Sequence, residues 1–315
     1  MVNKEIHIKD EILKILFSAR EETVSGVRLS EMLNISRVAV WKHISALKEA
    51  GFDIESRPRG YVLPNPEDLL QPFCFKAGFQ NRIFHFQELE STMDQAKVLA
   101  KTHASHLSIV IAENQTTGRG RLRRKWVSSK GGLWFTLILK PEIPAVMSYM
   151  YNFAASLCLS GTLNRLFDLD VKVKWPNDLL LNGKKLAGLL SEMETKGDMA
   201  EFINIGIGLN VNNDPRQSEA NAVSIKDVLK KAVSRRLILE TFLSDFEDRI
   251  QTLDGKSIIA LWKKQTSTIS SRVRIETFGE ISEGLALDVD EAGALILRED
   301  TGEIKTIIYG DCFHT

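Results

Sequence analysis

Gln115-Thr-Thr-Gly-Arg-Gly-Arg-Leu-Arg-Arg-Lys-Trp126 sets five basic side chains, Arg119, Arg121, Arg123, Arg124 and Lys125, within seven residues, and no acidic residue falls between Gln115 and Lys130. A segment so charged repels itself unless an anion arrives, so the expectation is a loop that orders around one. Gly118 and Gly120 let the backbone turn and bring N–H groups close to a ligand. The arginines offer planar forks to phosphate or carboxylate oxygens, and Trp126 offers an aromatic face to a base or ring. A solvated basic loop or a nucleic-acid patch is the plainer alternative, but the glycine spacing and the terminal tryptophan favour the ligand loop.

The flanking sequence makes this loop a connection between two core strands. Leu107 to Ala112 is an apolar, β-rich run, and Gly131-Gly-Leu-Trp-Phe-Thr-Leu-Ile-Leu139 is another. Upstream, Arg82 to Leu89 alternates as a strand, and Ser91 or Thr92 is placed to cap a helix through Ala96, Leu99 and Ala100. Downstream, Ser148 to Phe167 is apolar at helical spacing and predicts the main buried helix. Val171-Lys-Val-Lys-Trp-Pro-Asn-Asp178 then reads as a strand stopped by Trp175-Pro176, with Asn177 and Asp178 in a turn. Asn182-Gly183 is a two-residue hairpin signal, and Lys185 follows it beside Leu186-Ala-Gly-Leu-Leu-Ser-Glu192. In Phe202-Ile-Asn-Ile-Gly-Ile-Gly-Leu-Asn-Val211, Gly206 and Gly208 share one face. With Gly188 they could floor a slot for a flat ligand or allow close packing against the sheet.

The chain begins differently. Apolar residues from Ile12 to Leu16 give an amphipathic helix, Leu29 to Leu33 a short one, and Ser36 caps a third, Arg37 to Ala50, after a turn at Asn34. Val40, Ile44 and Leu47 share the buried face of that third helix. Ser36, Arg37, Trp41, Lys42 and Ser45 lie on or beside its opposite face, which could enter a major groove. The segments Phe52 to Ser56 and Tyr61 to Leu63 predict a hairpin with Arg57 and Arg59 at its tip, placed for phosphates. This order resembles the winged helix-turn-helix domains of bacterial transcription regulators; a protein-interaction module is the alternative. Pro64-Asn-Pro66 reads as a boundary. Toward the other end, Arg235 to Leu253 and Ser257 to Lys264 predict two amphipathic helices, the first turning Leu237, Phe242, Phe246 and Ile250 to a core. Short alternating strands follow from Val273 to Tyr309.

Composition narrows the class. The 315 residues are 43% hydrophobic and 26% charged, with 41 basic against 41 acidic side chains, so an anionic partner must be met by local patches. Cys74, Cys158 and Cys312 are too few and too scattered for a disulfide framework or a metal pattern, and read as buried thiols. The N-terminus lacks the apolar core of a signal peptide and no apolar run approaches a membrane span, so a cytoplasmic protein is expected.

Gly118-Arg-Gly-Arg121 with Lys125-Trp126, then Lys174-Trp-Pro-Asn-Asp178, Lys185-Leu-Ala-Gly188 and Gly206-Ile-Gly-Leu-Asn210, in this order and spacing, resemble the biotin protein ligases. With the helix-turn-helix ahead of them, the whole chain is similar to the bifunctional family that joins biotin operon repression to biotin–[acetyl-CoA-carboxylase] ligation. The resemblance implies an α+β chain of three parts. These are a winged helix-turn-helix over residues 1–64, a mixed-sheet ligase domain of the biotin/lipoate type over 65–268, and an SH3-like β-barrel over 269–315.

It also implies an ATP- and Mg²⁺-dependent enzyme that forms biotinyl-5′-AMP and passes biotin to a lysine of a biotin carboxyl carrier protein. Operator DNA of biotin genes would be the second partner, with the adenylate as corepressor of a homodimer. Lys185, Arg119 and Arg121 match the family's catalytic cations. Ser91, Thr92, Met93, Gln115, Gly120, Gly188, Gly206 and Gly208 match its biotin contacts, together with Arg119, Arg121 and Lys185. Trp126, Lys174, Asn177, Asp178 and Asn210 fall, with Arg119 and Arg121, on the nucleotide side, where Trp126 would cover the adenine. Met93 stands where many members have asparagine. No carboxylate cluster identifies Mg²⁺ ligands. A lipoate or octanoate protein ligase, a non-enzymatic sensor, and a ligase with a vestigial N-terminal module are the competing readings.

Overall fold

The computed structural model describes residues 2–217, 219–252 and 254–315, apart from the side chains of residues 2–6 and of Arg123. Arg123, one of the five loop cations, and Leu253, the expected end of a helix, therefore lie outside the described side chains and residues respectively. The chain divides into two units, Met1–Asn81 and Arg82–Thr315.

In the first unit, helix α1 (Val2–Ser18) starts well before the apolar pattern at Ile12. Helix α2 (Gly26–Leu33) also starts earlier than its apolar pattern, because the Ser25 side chain accepts from Arg28 N–H and caps it. Asn34 turns the chain in the left-handed region at φ 51°, and Ser36 caps α3 (Arg37–Glu49) by accepting from Ala39 N–H. Val40, Ile44 and Leu47 pack with Ile12, Leu13, Leu16 and Leu29 in one core. Strands β1 (Glu55–Arg57) and β2 (Gly60–Val62) make the expected hairpin, and Tyr61 also pairs with Val24. A Cβ at Gly60 would stand 2.1 Å from the Val24 carbonyl oxygen, so that pairing requires glycine. The stretch after Pro64-Asn-Pro66 stays with this unit and ends in the short helix α4 (Ala77–Gln80).

The second unit is built on one mixed sheet. Its strands are β3 (Ile83–Leu89), β4 (Ser108–Gln115), β5 (Leu133–Leu139), β6 (Lys172–Lys174), β7 (Asp178–Leu181), β8 (Lys184–Lys196) and β9 (Met199–Leu209), in the order β3-β4-β5-β9-β8-β7-β6. Only β3 and β4 pair in parallel, because α5 (Thr92–Thr102) carries the chain from one to the other. Ala96, Leu99 and Ala100 of α5 pack on Val110, Ile138 and Phe202. Helix α6 (Tyr149–Phe167) is the long buried helix expected. Asn182 and Gly183, at φ 53° and 74°, form the β7–β8 turn. Asp178, expected in a turn, is instead the first residue of β7, paired with both Lys174 and Gly188.

Helix α7 (Ile225–Leu229), closed by a Ser224–Asp227 capping box, precedes α8 (Arg235–Gln251) and α9 (Gly255–Gln265). The buried face of α8 is Ile238, Leu239, Phe242, Leu243 and Phe246, with Phe242 edge-on to Phe135 at 5.7 Å. Leu237 is exposed, one residue outside that stripe, which corrects its expected place in the core. Strands β10 (Arg272–Glu276), β11 (Ile281–Val289), β12 (Leu295–Glu299), β13 (Ile304–Ile307) and β14 (Asp311–His314) form an antiparallel sheet in the order β13-β12-β11-β10-β14. The sequence pattern showed nothing of β14. No described helix is long and apolar enough to cross a membrane, and all three cysteines are free and buried.

A dry ion cluster pins the strand that delivers the basic loop. Arg235 Nη1 donates to Glu113 Oε2 at 2.6 Å and to the Gly132 carbonyl at 3.1 Å, while His85 Nε2 lies 3.4 Å from Glu113 Oε1. Burial alone would raise the Glu113 pKa; the His85 hydrogen bond and the Arg235 charge outweigh it and hold the carboxyl at about 2.

Candidate active site

A cavity of about 480 Å³ opens over β8 and β9, and the expected residues Ser91, Thr92, Met93, Gln115, Arg119, Gly120, Arg121, Trp126, Lys174, Asn177, Asp178, Lys185, Gly188, Gly206 and Gly208 all line it. Side chains separated by more than a hundred positions are thus brought to one place by the order of the sheet. Asn210 is outside the lining: its buried Oδ1 accepts from Asn213 Nδ2, so it fastens the turn after β9.

Gly188 and Gly208 face each other across the β8–β9 pair. They do not leave an open floor. A Cβ at Gly208 would stand 2.4 Å from Trp126 Nε1, one at Gly188 3.0 Å from the same ring, and one at Gly206 2.7 Å from Met93 Sδ. Close approach therefore explains all three glycines, and the flat group over two of them is the chain's own indole. Trp126 lies edge-on to Trp134 at 6.4 Å, with Lys185 Nζ 5.2 Å from its ring centroid. Its indole N–H is buried without a hydrogen-bond partner among the described residues.

Arg119 and Arg124 meet internal carboxylates, so the segment's charge is partly matched within the chain. Arg119 donates to Asp94 at 2.7 Å and lies 3.1 Å from Glu192. Arg124 lies 2.6 Å from Asp311, and Arg121 donates to Asn177 Oδ1 at 3.2 Å and to the Gly310 carbonyl at 3.0 Å. Burial pulls the Arg121 pKa down, with Asp311 and Asp178 opposing it. The loop backbone closes on itself through Trp126 N–H to Gly118 O and Gly120 N–H to Arg124 O, each 2.8 Å. Gly118 is required, because a Cβ would stand 2.4 Å from the Trp126 carbonyl oxygen; Gly120 has only ordinary contacts.

Lys185 Nζ is 3.1 Å from Asp178 Oδ1, and Lys174 Nζ 3.6 Å from Asp178 Oδ2, so two cations share one carboxylate. Main-chain bonds tie Lys185 to the segment before α7: its N–H donates to the Asn221 carbonyl at 2.9 Å and its carbonyl accepts from Val223 at 3.0 Å. At the far end, Thr92 N–H and Oγ1 both donate to Gln115 Oε1, at 2.7 and 3.0 Å, and Gln115 Nε2 donates to Ser128. Ser91 occupies the helix N-cap position but its hydroxyl caps nothing. It is 2% exposed, with no hydrogen-bond partner among the described residues, so the reading of Ser91 and Thr92 as simple caps fails.

Asp311, Cys312, Phe313 and His314 of β14, and Glu219 and Asn221, also line the cavity and were not anticipated. Four residues after Gly310 carry no pattern that marks a strand, and only the fold carries them to the loop. Burial pushes the Cys312 thiol up to about 12, so it is inert packing. Burial and Lys174 lower the His314 pKa.

On the first unit, Ser36, Arg37, Trp41, Lys42, Arg57 and Arg59 are exposed and Ser45 half-buried. Lys48 Nζ donates to Ser56 Oγ at 2.9 Å, tying α3 to the hairpin, and Arg57 pairs with Glu55 at 3.0 Å.

Residues 84–210 match the Biotin/lipoate A/B protein ligase family, 9–62 an HTH domain, and 268–315 the biotin protein ligase C terminal domain. The bifunctional ligase/repressor BirA of Bacillus subtilis (strain 168) is 32% identical over 319 residues, covering 96% of this chain and 98% of its own. Its namesake in Escherichia coli (strain K12) is 28% identical over 307 residues, covering 94% of each chain. Among solved structures, the biotin protein ligase from Aquifex aeolicus in complex with biotin and ATP shares the fold, at 23% identity and TM-score 0.65, over 74% of this chain and 99% of that one. Domain order, end-to-end similarity and the convergence of the motifs on one cavity agree: the chain belongs to the bifunctional ligase/repressor family, a biotin protein ligase with an N-terminal helix-turn-helix.

Proposed function

We propose that this cavity joins biotin to ATP and passes the biotinyl group to a lysine of a biotin carboxyl carrier protein. In the first step a biotin carboxylate oxygen bonds to the α-phosphorus and pyrophosphate leaves; in the second, the lysine amine bonds to the acyl carbon and AMP leaves. The obstacle to the first step is repulsion between two anions, which cations aimed at both relieve. Lys185 and Lys174, now sharing Asp178, supply that charge beside Arg121. The observation that carries the reading is the presence, lining one cavity, of both Lys185 and a buried Ser91 hydroxyl with no hydrogen-bond partner among the described residues. A largely apolar ligand with one polar ring needs such a fixed donor or acceptor. Arg119, Gly120 and Met93 are assigned to biotin and Asn177 to the nucleotide; Trp126, packed on Gly188 and Gly208, would have to leave that floor to cover the adenine. Among the described residues no group of three His, Cys, Asp or Glu side chains is placed to hold a metal. Mg²⁺ would enter with the nucleotide phosphates.

The hairpin after α3 supports a winged helix, and the five-stranded antiparallel sheet supports an SH3-like C-terminal domain. The matches at 9–62, 84–210 and 268–315 support three parts close to 1–64, 65–268 and 269–315, although residues 65–81 pack with the first unit. Biotinyl-5′-AMP would act as corepressor by promoting a homodimer that binds operator DNA, in the cytoplasm. The direct test is pyrophosphate release on incubation with ATP and either biotin or lipoate. Release with biotin alone is expected; release with lipoate alone would reassign the substrate, and release with neither would leave a sensor.

A further inference from the structure

The exposed face of α3 is not uniformly polar. Val38 and Trp41 are 63% and 59% exposed, while Val40, Ile44 and Leu47 on the opposite face are 0 to 3% exposed. Single exposed apolar side chains are ordinary. Here two lie three residues apart, hence side by side on one helix face, and they are bracketed by the exposed cations Arg37 and Lys42. Both fall in the first five residues of the helix, directly after the Ser36 cap. In helix-turn-helix proteins the N-terminal part of the second helix meets base edges.

Cations beside an apolar pair fit a surface that offers phosphates at its margins and apolar groups between them. A major groove offers both, because thymine alone of the four bases presents a methyl group there. Another protein surface would have to pair Arg37 and Lys42 with carboxylates to lie as close. We propose that Val38 and Trp41 read thymine methyl groups, so that α3 selects thymine by apolar contact while Arg37 and Lys42 hold the backbone. The inference rests on α3 entering a major groove. It specifies a base class that the polar residues of the face leave open.

The full-length protein, with biotin and ATP, is used to enrich binding sites from a random-core DNA duplex library. The best-bound duplex is then resynthesised with deoxyuridine in place of thymidine at one position at a time, which removes only the methyl group. At one or two positions in each half-site the wild-type protein should bind the deoxyuridine duplex about fourfold more weakly, the effect of one buried methyl-sized group. Val38→Ala or Trp41→Ala should erase that difference at its own position. Both side chains are exposed, so the variants should fold and keep the wild-type salt dependence. If no sequence is enriched, the groove reading fails and the inference with it. Sequence-specific binding that is indifferent to uridine at every position would overturn the inference alone, and would point to another protein or a second copy as the partner of the apolar pair. A uridine effect that persists in both variants would assign the contact elsewhere.

Discussion

The basic loop and helix α3 both concentrate cations, and the molecule treats them in opposite ways. In the loop, Arg119, Arg121 and Arg124 are engaged by Asp94, Glu192, Asn177 and Asp311. On α3, Arg37 and Lys42 stand in solvent with no ion pair among the described residues. A site that must gather two anionic substrates and release products gains from internal carboxylates that preset the guanidinium positions and yield to a stronger ligand. A surface that binds a polyanion gains instead from free cations that displace the counterions condensed on it. Cations engaged by carboxylates thus sit beside the cavity and free ones on α3, with Arg57 of the hairpin, paired to Glu55, as the exception.

The sharpest way to break that distinction is Lys185→Ala. Removing the cation from the point where two anions meet should slow adenylate formation about a thousandfold while changing biotin affinity far less. Single-turnover pyrophosphate release checks it, and a near-normal rate would remove Lys185 from the chemistry. Glu113 extends the comparison to buried charge. Its carboxyl is held at about 2 against an ordinary 4.5, so its stabilising contribution is complete above about 4.5 and is lost as pH falls toward 2. Glu113→Gln should cost about 3 kcal/mol by removing the carboxylate that lies 2.6 Å from the buried Arg235 guanidinium. It should also flatten the fall of the urea midpoint across that acid window. A variant with the wild-type acid profile would show that the cluster carries no such linkage.

Much of this was legible in order along the chain, because each motif is local: the strands around the loop, the Asn182-Gly183 turn, the Ser36 cap. What could not be read was who pairs with whom across the fold. Gly188, Gly206 and Gly208 were visible as a set, but that Trp126 and Met93 press on them depends on where the loop returns. The five clustered cations were obvious, whereas Asp94, Glu192 and Asp311 come from three separate segments. Ser91 was misread as a cap because its position is that of a cap, and only its surroundings reveal an idle hydroxyl. Leu237 failed for a smaller reason, a stripe shifted by one residue.

The two regions come together in the proposed corepressor mechanism. If the adenylate orders the loop and that order favours a dimer, operator affinity should rise about tenfold to a hundredfold with biotin plus ATP over no ligand, a common span for such coupling. Sedimentation should show a greater mass under the same condition. Equal affinity and equal mass with no ligand, with biotin, and with biotin plus ATP would leave a ligase beside an uncoupled DNA-binding unit.

The smallest expected effect separates the two kinds of cation most directly. Each phosphate contact adds about 0.9 to the slope of log affinity against log salt, so deleting one lowers the slope by about that amount. Lys42→Ala should therefore weaken operator binding more at low salt than at high salt. Between roughly 50 and 200 mM its disadvantage should shrink about threefold to fourfold. Arg124→Ala removes a cation as well, but one already matched by Asp311 at 2.6 Å, and should leave the slope of DNA binding as it was. A flattened slope for Arg124→Ala would place the loop against DNA. An unchanged slope for Lys42→Ala would take that lysine off the phosphate backbone, and the free cations of α3 would lose the role that their exposure suggests.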